Sequence, residues 1–158
     1  MAKVTRKGGG LDRLAQSVRD LERKRGQVGF FDTAHYPDGT PVAYVAAIQE
    51  FGHGPIPPRS FMRSTMAEKR AAWRQTLAMG AKQVLADRMT TEQMLEAFGM
   101  AAAGDVKDKI ISIMSPALAD STIYARLHRT NKPRNTSTKP LVDTGVLLSS
   151  VESKVTDK

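Results

Sequence analysis

The residues best able to do chemistry in this chain lie near its C-terminus, in the run Lys139-Pro140-Leu141-Val142-Asp143-Thr144-Gly145-Val146-Leu147-Leu148-Ser149-Ser150-Val151-Glu152-Ser153-Lys154. Asp-Thr-Gly inside a hydrophobic run is how an aspartic protease presents its carboxylate, and there two Asp side chains share one proton because like charges so close cannot both ionise. Asp143-Thr144-Gly145 occurs once, so a dyad requires a homodimer. Thirteen residues follow Gly145, too few for the further sheet and second loop that brace such a carboxylate. The competing reading is structural. Asp143 or Thr144 caps a short helix through Val146, Leu147 and Leu148, its side-chain oxygen accepting from a free backbone N–H, before Val151 to Val155 alternates as a strand. On that reading Asp143→Asn costs only about a few tenths of a kcal/mol.

The remaining chemistry-bearing residues are sparse. His35, His53 and His128 fall in expected loops with no companion ligand at i+3 or i+4, so no metal site is assigned. Lys7-Gly8-Gly9-Gly10 has glycines beside a lysine but lacks the preceding strand and the Lys-Ser/Thr order of a phosphate-binding loop. No cysteine is present, which removes disulfides, thiolate zinc sites and cysteine nucleophiles and fits a reducing cytoplasm. No catalytic residue and no cofactor site is assigned.

The elements that must position these residues follow from periodicity. A chain of 158 residues is about one domain. Leu11, Leu14, Val18 and Leu21 share one face of a helix from about Leu11 to Arg25, ended by Gly26. Gln27 to Asp32 reads as a strand, and His35 to Pro41 as a turn in which proline presets φ and Gly39 supplies a positive φ. From Val42 to Phe51, Tyr44, Ile48 and Phe51 recur at i, i+4 and i+7 among alanines, which predicts a helix with Phe51 in the core, Gly52 as its C-cap and Glu50 at the surface or in a single ion pair. After the break at Gly52 to Pro58, Ser60 is placed to cap a long helix to about Asp87, with Met62, Met66, Trp73, Leu77, Ala81 and Val84 on one stripe. Thr90-Thr91-Glu92-Gln93 resembles a capping box, opening a second long helix through Leu95, Phe98, Ala102, Val106 and Ile110 to about Met114, ended by Ser115-Pro116.

The expected fold is α+β: the N-terminal helix and two long helices packed on a small, mostly antiparallel sheet made by the Val28 strand, the Val151 to Val155 strand and a third if present. No stretch approaches eighteen consecutive apolar residues, no signal peptide is visible, and no membrane partner is expected. Twenty-four Lys and Arg against sixteen Asp and Glu give a net charge of +8, which favours polyanions or acidic protein surfaces. The charge is concentrated. Residues 1–10 form a basic leader, and Ser121 to Lys139 carries Arg126, Arg129, Lys132, Arg134 and Lys139 with no acidic residue. Both are poor in large apolar groups, so they are expected to be mobile, the second as a loop over residues 125–140 within a single 11–158 domain. After Tyr124 that stretch has no aromatic residue for base stacking, so any nucleic-acid contact there is to phosphate and salt-sensitive.

Three blocks of the chain resemble the tail-completion or head–tail joining proteins of the tailed-bacteriophage neck. The first is Tyr44-Val45-Ala46-Ala47-Ile48-Gln49-Glu50-Phe51-Gly52 with Ile56-Pro57-Pro58-Arg59-Ser60-Phe61-Met62-Arg63, similar to that family's Glu-Phe-Gly helix and its Pro-x-Arg-x-Phe-Leu/Met-Arg lead-in to the long helix. The second is Ala119-Asp120-Ser121-Thr122-Ile123-Tyr124, and the third is Pro140-Leu141-Val142-Asp143-Thr144-Gly145-Val146-Leu147-Leu148-Ser149-Ser150-Val151. Ser115-Pro116-Ala117-Leu118-Ala119 departs from the family's Pro-Pro-Asn type of loop. The resemblance implies no catalysis. It implies a virion protein, assembled in the host cytoplasm, whose copies form a ring, expected as a hexamer, that completes the tail and joins it to the DNA-filled head. Its implied partners are neighbouring tail-tube or terminator and head–tail connector proteins, with contact to DNA phosphate in the channel. Arg59, Phe61, Arg63, Arg126, Arg129, Lys132, Arg134 and Lys139 are the interface candidates, Arg59 and Arg63 by pairing with acidic groups of a neighbouring subunit. The alternative is a nucleic-acid-binding module acting through the basic arms.

Overall fold

The computed structural model describes residues 9–158, so most of the basic leader lies outside the described residues. The elements run α1 (Gly10–Arg23), β1 (Lys24–Gly29), α2 (Val42–Phe51), α3 (Met62–Leu85), α4 (Thr91–Ser112), α5 (Asp120–His128), α6 (Val146–Ser149) and β2 (Glu152–Asp157). The fold is α+β, with six helices and an antiparallel pair of strands among the described residues. No described helix is long and apolar enough to cross a membrane.

The best-defined start is that of α4. The Thr90 hydroxyl accepts from the Gln93 N–H at 3.1 Å while the Gln93 side chain accepts from the Thr90 N–H at 3.0 Å, the reciprocal pair that satisfies two orphan donors. From there α4 carries the core. Ala102, Ala103, Val106 and Ile110 are all buried, and α4 packs against both strands and against α3. Val106 and Ile110 meet Val42, Ala46, Phe61, Leu141, Leu147 and Val151, so one cluster joins α2, the start of α3, α4 and the C-terminal segment.

The sheet differs from expectation at both ends. β1 begins at Lys24 rather than Gln27, cutting α1 short, and pairs Lys24 with Asp157 through Gly29 with Glu152. The partner strand lies over 120 residues away in sequence, so this pairing overrides a local helical period that extends to Arg25. Among the described residues no third strand joins the sheet. The turn falls where expected: Tyr36 N–H donates to Thr40 O at 2.8 Å, and Gly39 has φ +83°. In α3 the stripe is inward except at Met66, which is 58% exposed.

Two glycines of α4 have opposite surroundings. A Cβ at Gly99 would lie 2.7 Å from the Ser153 Cβ on β2, whereas one at Gly104 meets nothing within 4 Å. Gly99→Ala should therefore destabilise the fold by about 1–3 kcal/mol through overpacking of helix on sheet. Gly104→Ala should stabilise it by about 0.5–1 kcal/mol through helix propensity. Urea unfolding of the two variants gives both signs; equal effects would mean that α4 does not press on β2 at Gly99.

Candidate functional site

The chain's most heavily bonded carboxylate is Glu50, on the inward face of α2 with Val42 and Ala46. Gly52, at φ +79° with Pro58 and the Ile56 carbonyl only 3.0 Å from where its Cβ would be, reverses the chain after α2. That reversal returns Ser60 to Arg63 across the Glu50 side chain. The carboxylate accepts from Ser60 Oγ at 2.7 Å, from the backbone N–H groups of Phe61, Met62 and Arg63 at 2.7, 2.9 and 3.1 Å, and from Arg63 Nε at 2.9 Å. Glu50 thus caps α3 from another helix, satisfying donors that a helix leaves free and placing negative charge at the positive end of the helix dipole.

Three expectations are corrected here. Ser60 does not cap α3, because its hydroxyl donates to Glu50 instead. Glu50 is not at the surface but 4% exposed, and Phe51 is not core but 64% exposed, with the Arg63 guanidinium 4.7 Å from its ring centroid. The helix is apolar on both sides, and the side that carries Val42, Ala46 and Glu50, rather than that of Tyr44 and Phe51, faces inward.

Arg59 is turned into the fold. It is 5% exposed, and it donates from Nε to Pro116 O at 2.7 Å, from Nη2 to Ala117 O at 2.9 Å and from Nη1 to Gln49 Oε1 at 3.2 Å. Phe61 is also withdrawn from any interface: it is fully buried, edge-on to Phe30 at 5.9 Å between centroids. Arg63 pairs within the chain but keeps 60% of its side chain exposed, so it alone of the three stays accessible.

A second ionic knot organises what was expected to be a mobile basic loop. Arg126 projects from α5 and is 8% exposed. Its Nη1 donates to Lys139 O at 2.9 Å, its Nη2 to Pro140 O at 3.1 Å, and its Nε lies 3.6 Å from Asp143 Oδ1. Arg129 Nη1 donates to Asp143 Oδ2 at 2.7 Å and its Nε to Pro133 O at 2.7 Å. Asn135 ties the same strand of chain through Val142 O and Asp143 O, at 3.1 and 2.9 Å. The segment is built around buried donors, which a count of charges cannot reveal. Arg126 and Arg129 are spent inside the subunit, Arg134 is exposed, and Lys132 and Lys139 are half-buried. Asp143 does not cap α6 either. Gly145 holds that position with φ +80° and no side chain bonds there, so the expected tolerance of Asp143→Asn no longer follows.

Between the knots lies an open cleft of about 290 Å³, lined among others by Tyr36, Asp38, Gln49, Lys132, Asp143 and Gly145. Burial raises the Asp143 pKa, but hydrogen bonds from Arg129 and Asn135 and the Arg126 charge outweigh it and hold the carboxyl below its ordinary value of 3.8. The Thr40 N–H likewise holds Asp38 low, while burial and then the Asp143 and Asp38 charges push Tyr36 up. Among the described residues no three acidic or histidine side chains cluster as a metal site. No family model, curated protein or solved structure matches this chain.

For Glu50, burial raises the pKa and the Ser60, Arg63 and backbone donors more than offset it, leaving it below its ordinary 4.5. A lowered folded pKa means stability that is complete above the unfolded value and lost as pH falls through the folded one. Stability should therefore decline on acidification below about pH 4.5, with Asp143 contributing the same way below about pH 3.8. Glu50→Ala should cost about 3 kcal/mol at neutral pH and flatten that decline. Asp143→Asn should cost about 2 kcal/mol, less than a fully buried pair because its side chain is 36% exposed. Thermal unfolding from pH 7 to pH 3 reads all three, and an unchanged pH profile in Glu50→Ala would remove Glu50 as its source.

Proposed function

We propose that this chain is a structural virion protein of a tailed bacteriophage, whose copies form a ring at the proximal end of the tail or in the neck, completing the tail and joining it to the DNA-filled head. The observation that carries the reading is the convergence of the three blocks that resemble the neck-protein family. Glu50 and Arg59 of the first lock α2 to the start of α3 and to the carbonyls just before the second block. Arg126, directly after the second block, holds the carbonyls of Lys139, Pro140 and Val142 at the third. Residues separated by almost a hundred positions thus form one corner, and the polar residues within the motifs serve to hold it together. Motifs used in this way suit a subunit that must present a rigid surface.

The nucleic-acid reading has fewer free donors than the charge of its second arm suggests. Within residues 121–139, Arg126 and Arg129 are committed to carbonyls and Asp143, leaving Lys132, Arg134 and Lys139 of that stretch for phosphate. The protease reading still requires a second copy to supply its dyad, and here Asp143 is already engaged by Arg129 and Asn135. The ring's partners are the adjacent tail-tube or terminator and connector proteins, and its place is the virion.

Deletion of the gene should leave DNA-filled heads beside separate or aberrant tails in the lysate, seen by electron microscopy. Joined, infectious particles in that lysate, or empty heads alone, would be incompatible with the proposal.

A further inference from the structure

Two helices present apolar faces to solvent. On α2, Tyr44 and Phe51 are 59% and 64% exposed, and Ile48 lies half-buried between them. A helix apolar all round belongs in a core, so this face is built to be covered. α1 packs on α3 and α4 yet buries no residue fully, and its apolar stripe stays open, Leu11 being 80% and Leu14 and Val18 each 41% exposed. Each stripe spans seven residues, about 10 Å of helix.

The two faces lie at opposite ends of the molecule. Glu50 fastens α2 to the first turn of α3, whereas Arg13 of α1 pairs with Asp87 just beyond its last. The 24 residues of α3 between them span about 36 Å. One subunit cannot close its own α1 face on its own α2 face. Two different patches at opposite ends can meet only between copies, head to tail, and such a contact generates a ring when its rotation closes. Charge sets the direction. Glu22, one turn beyond Val18, has no partner among the described residues, and Arg63 beside Phe51 has its Nη1 unengaged and most of its side chain exposed. A parallel alignment puts Leu11 at Tyr44, Val18 at Phe51 and Glu22 at Arg63.

We propose that the α1 face of one subunit docks on the α2 face of the next, with the helices parallel and Glu22 paired to Arg63, and that this contact propagates the ring. It rests on the ring reading above and names the surfaces that build it. Phe51, an aromatic anchor at the centre of the contact, should dominate it: Phe51→Ala weakens self-association about 30-fold. The exposed position leaves the subunit folded, which circular dichroism checks.

The chain has no cysteine, so single cysteines report the contact without background. Leu11→Cys subunits mixed with Tyr44→Cys subunits should give a dimer with a short bismaleimide cross-linker, and neither variant should do so alone. A product from Leu11→Cys with Phe51→Cys in its place would mean antiparallel helices and overturn the proposal. Rings visible by electron microscopy with no cross-link and unaffected by Phe51→Ala would overturn the docking faces while leaving the ring intact. A chain that stays monomeric at every concentration and does not assemble with purified tails would overturn both.

Discussion

A single carboxylate, buried at a helix end, holds this architecture in place. Glu50 leaves α2 on its inward face and accepts from three successive backbone N–H groups of α3, from Ser60 and from Arg63. A carboxylate taken out of water is costly unless its lone pairs are filled, and here the helix that needs an acceptor supplies the donors. Because the donors are backbone groups, they fix α2 relative to the axis of α3 and not to a flexible side chain. Phe61, the residue whose N–H is closest to Glu50, is then carried into the core against Phe30 and the α4 residues, so the polar cap and the apolar cluster are set by one placement.

Elsewhere the fold relies on arginines that hold backbone carbonyls. The chain from Ile113 to Gly145 contains only α5 as regular structure, yet Arg59 grips it at Pro116 and Ala117, and Arg126 at Lys139 and Pro140. A guanidinium presents several donors in a fixed fork, which suits it to gather carbonyls that no strand or helix satisfies. Asp143 between Arg126 and Arg129 offsets part of the charge thus buried. A basic composition therefore has two meanings in one chain: some of its cations are internal fasteners, and only the remainder are free to meet a partner.

The apolar surface has the complementary logic. The buried side of α2 is made of Val42, Ala46 and Glu50, and its larger side chains are outside, where an isolated subunit has no use for them. α1 carries a second exposed apolar stripe, at the far end of α3. Under the proposed docking the neighbouring copy supplies what covers these faces, and the internal knots hold them in place.

The sequence by itself determined the features whose cause is local. The capping box at Thr90 and Gln93, the turn from His35 to Pro41, the bounds of α2 and the glycine at its end all follow from residues within a few positions of one another, and each stands where periodicity and turn chemistry place it. The α+β class followed as well, since two long helical periods flanked by strand-like ends leave little else. Tertiary structure decided the rest. Which face of α2 is buried, where α1 yields to β1, whether Arg59 and Arg126 meet solvent or carbonyls, and whether Asp143 meets solvent or arginines each depend on a partner that ranges from about ten to more than a hundred residues away. Periodicity reports that a helix has an apolar side but not which neighbour will need its carboxylate, and that is why Glu50 and Phe51 exchanged the places their chemistry alone assigns them.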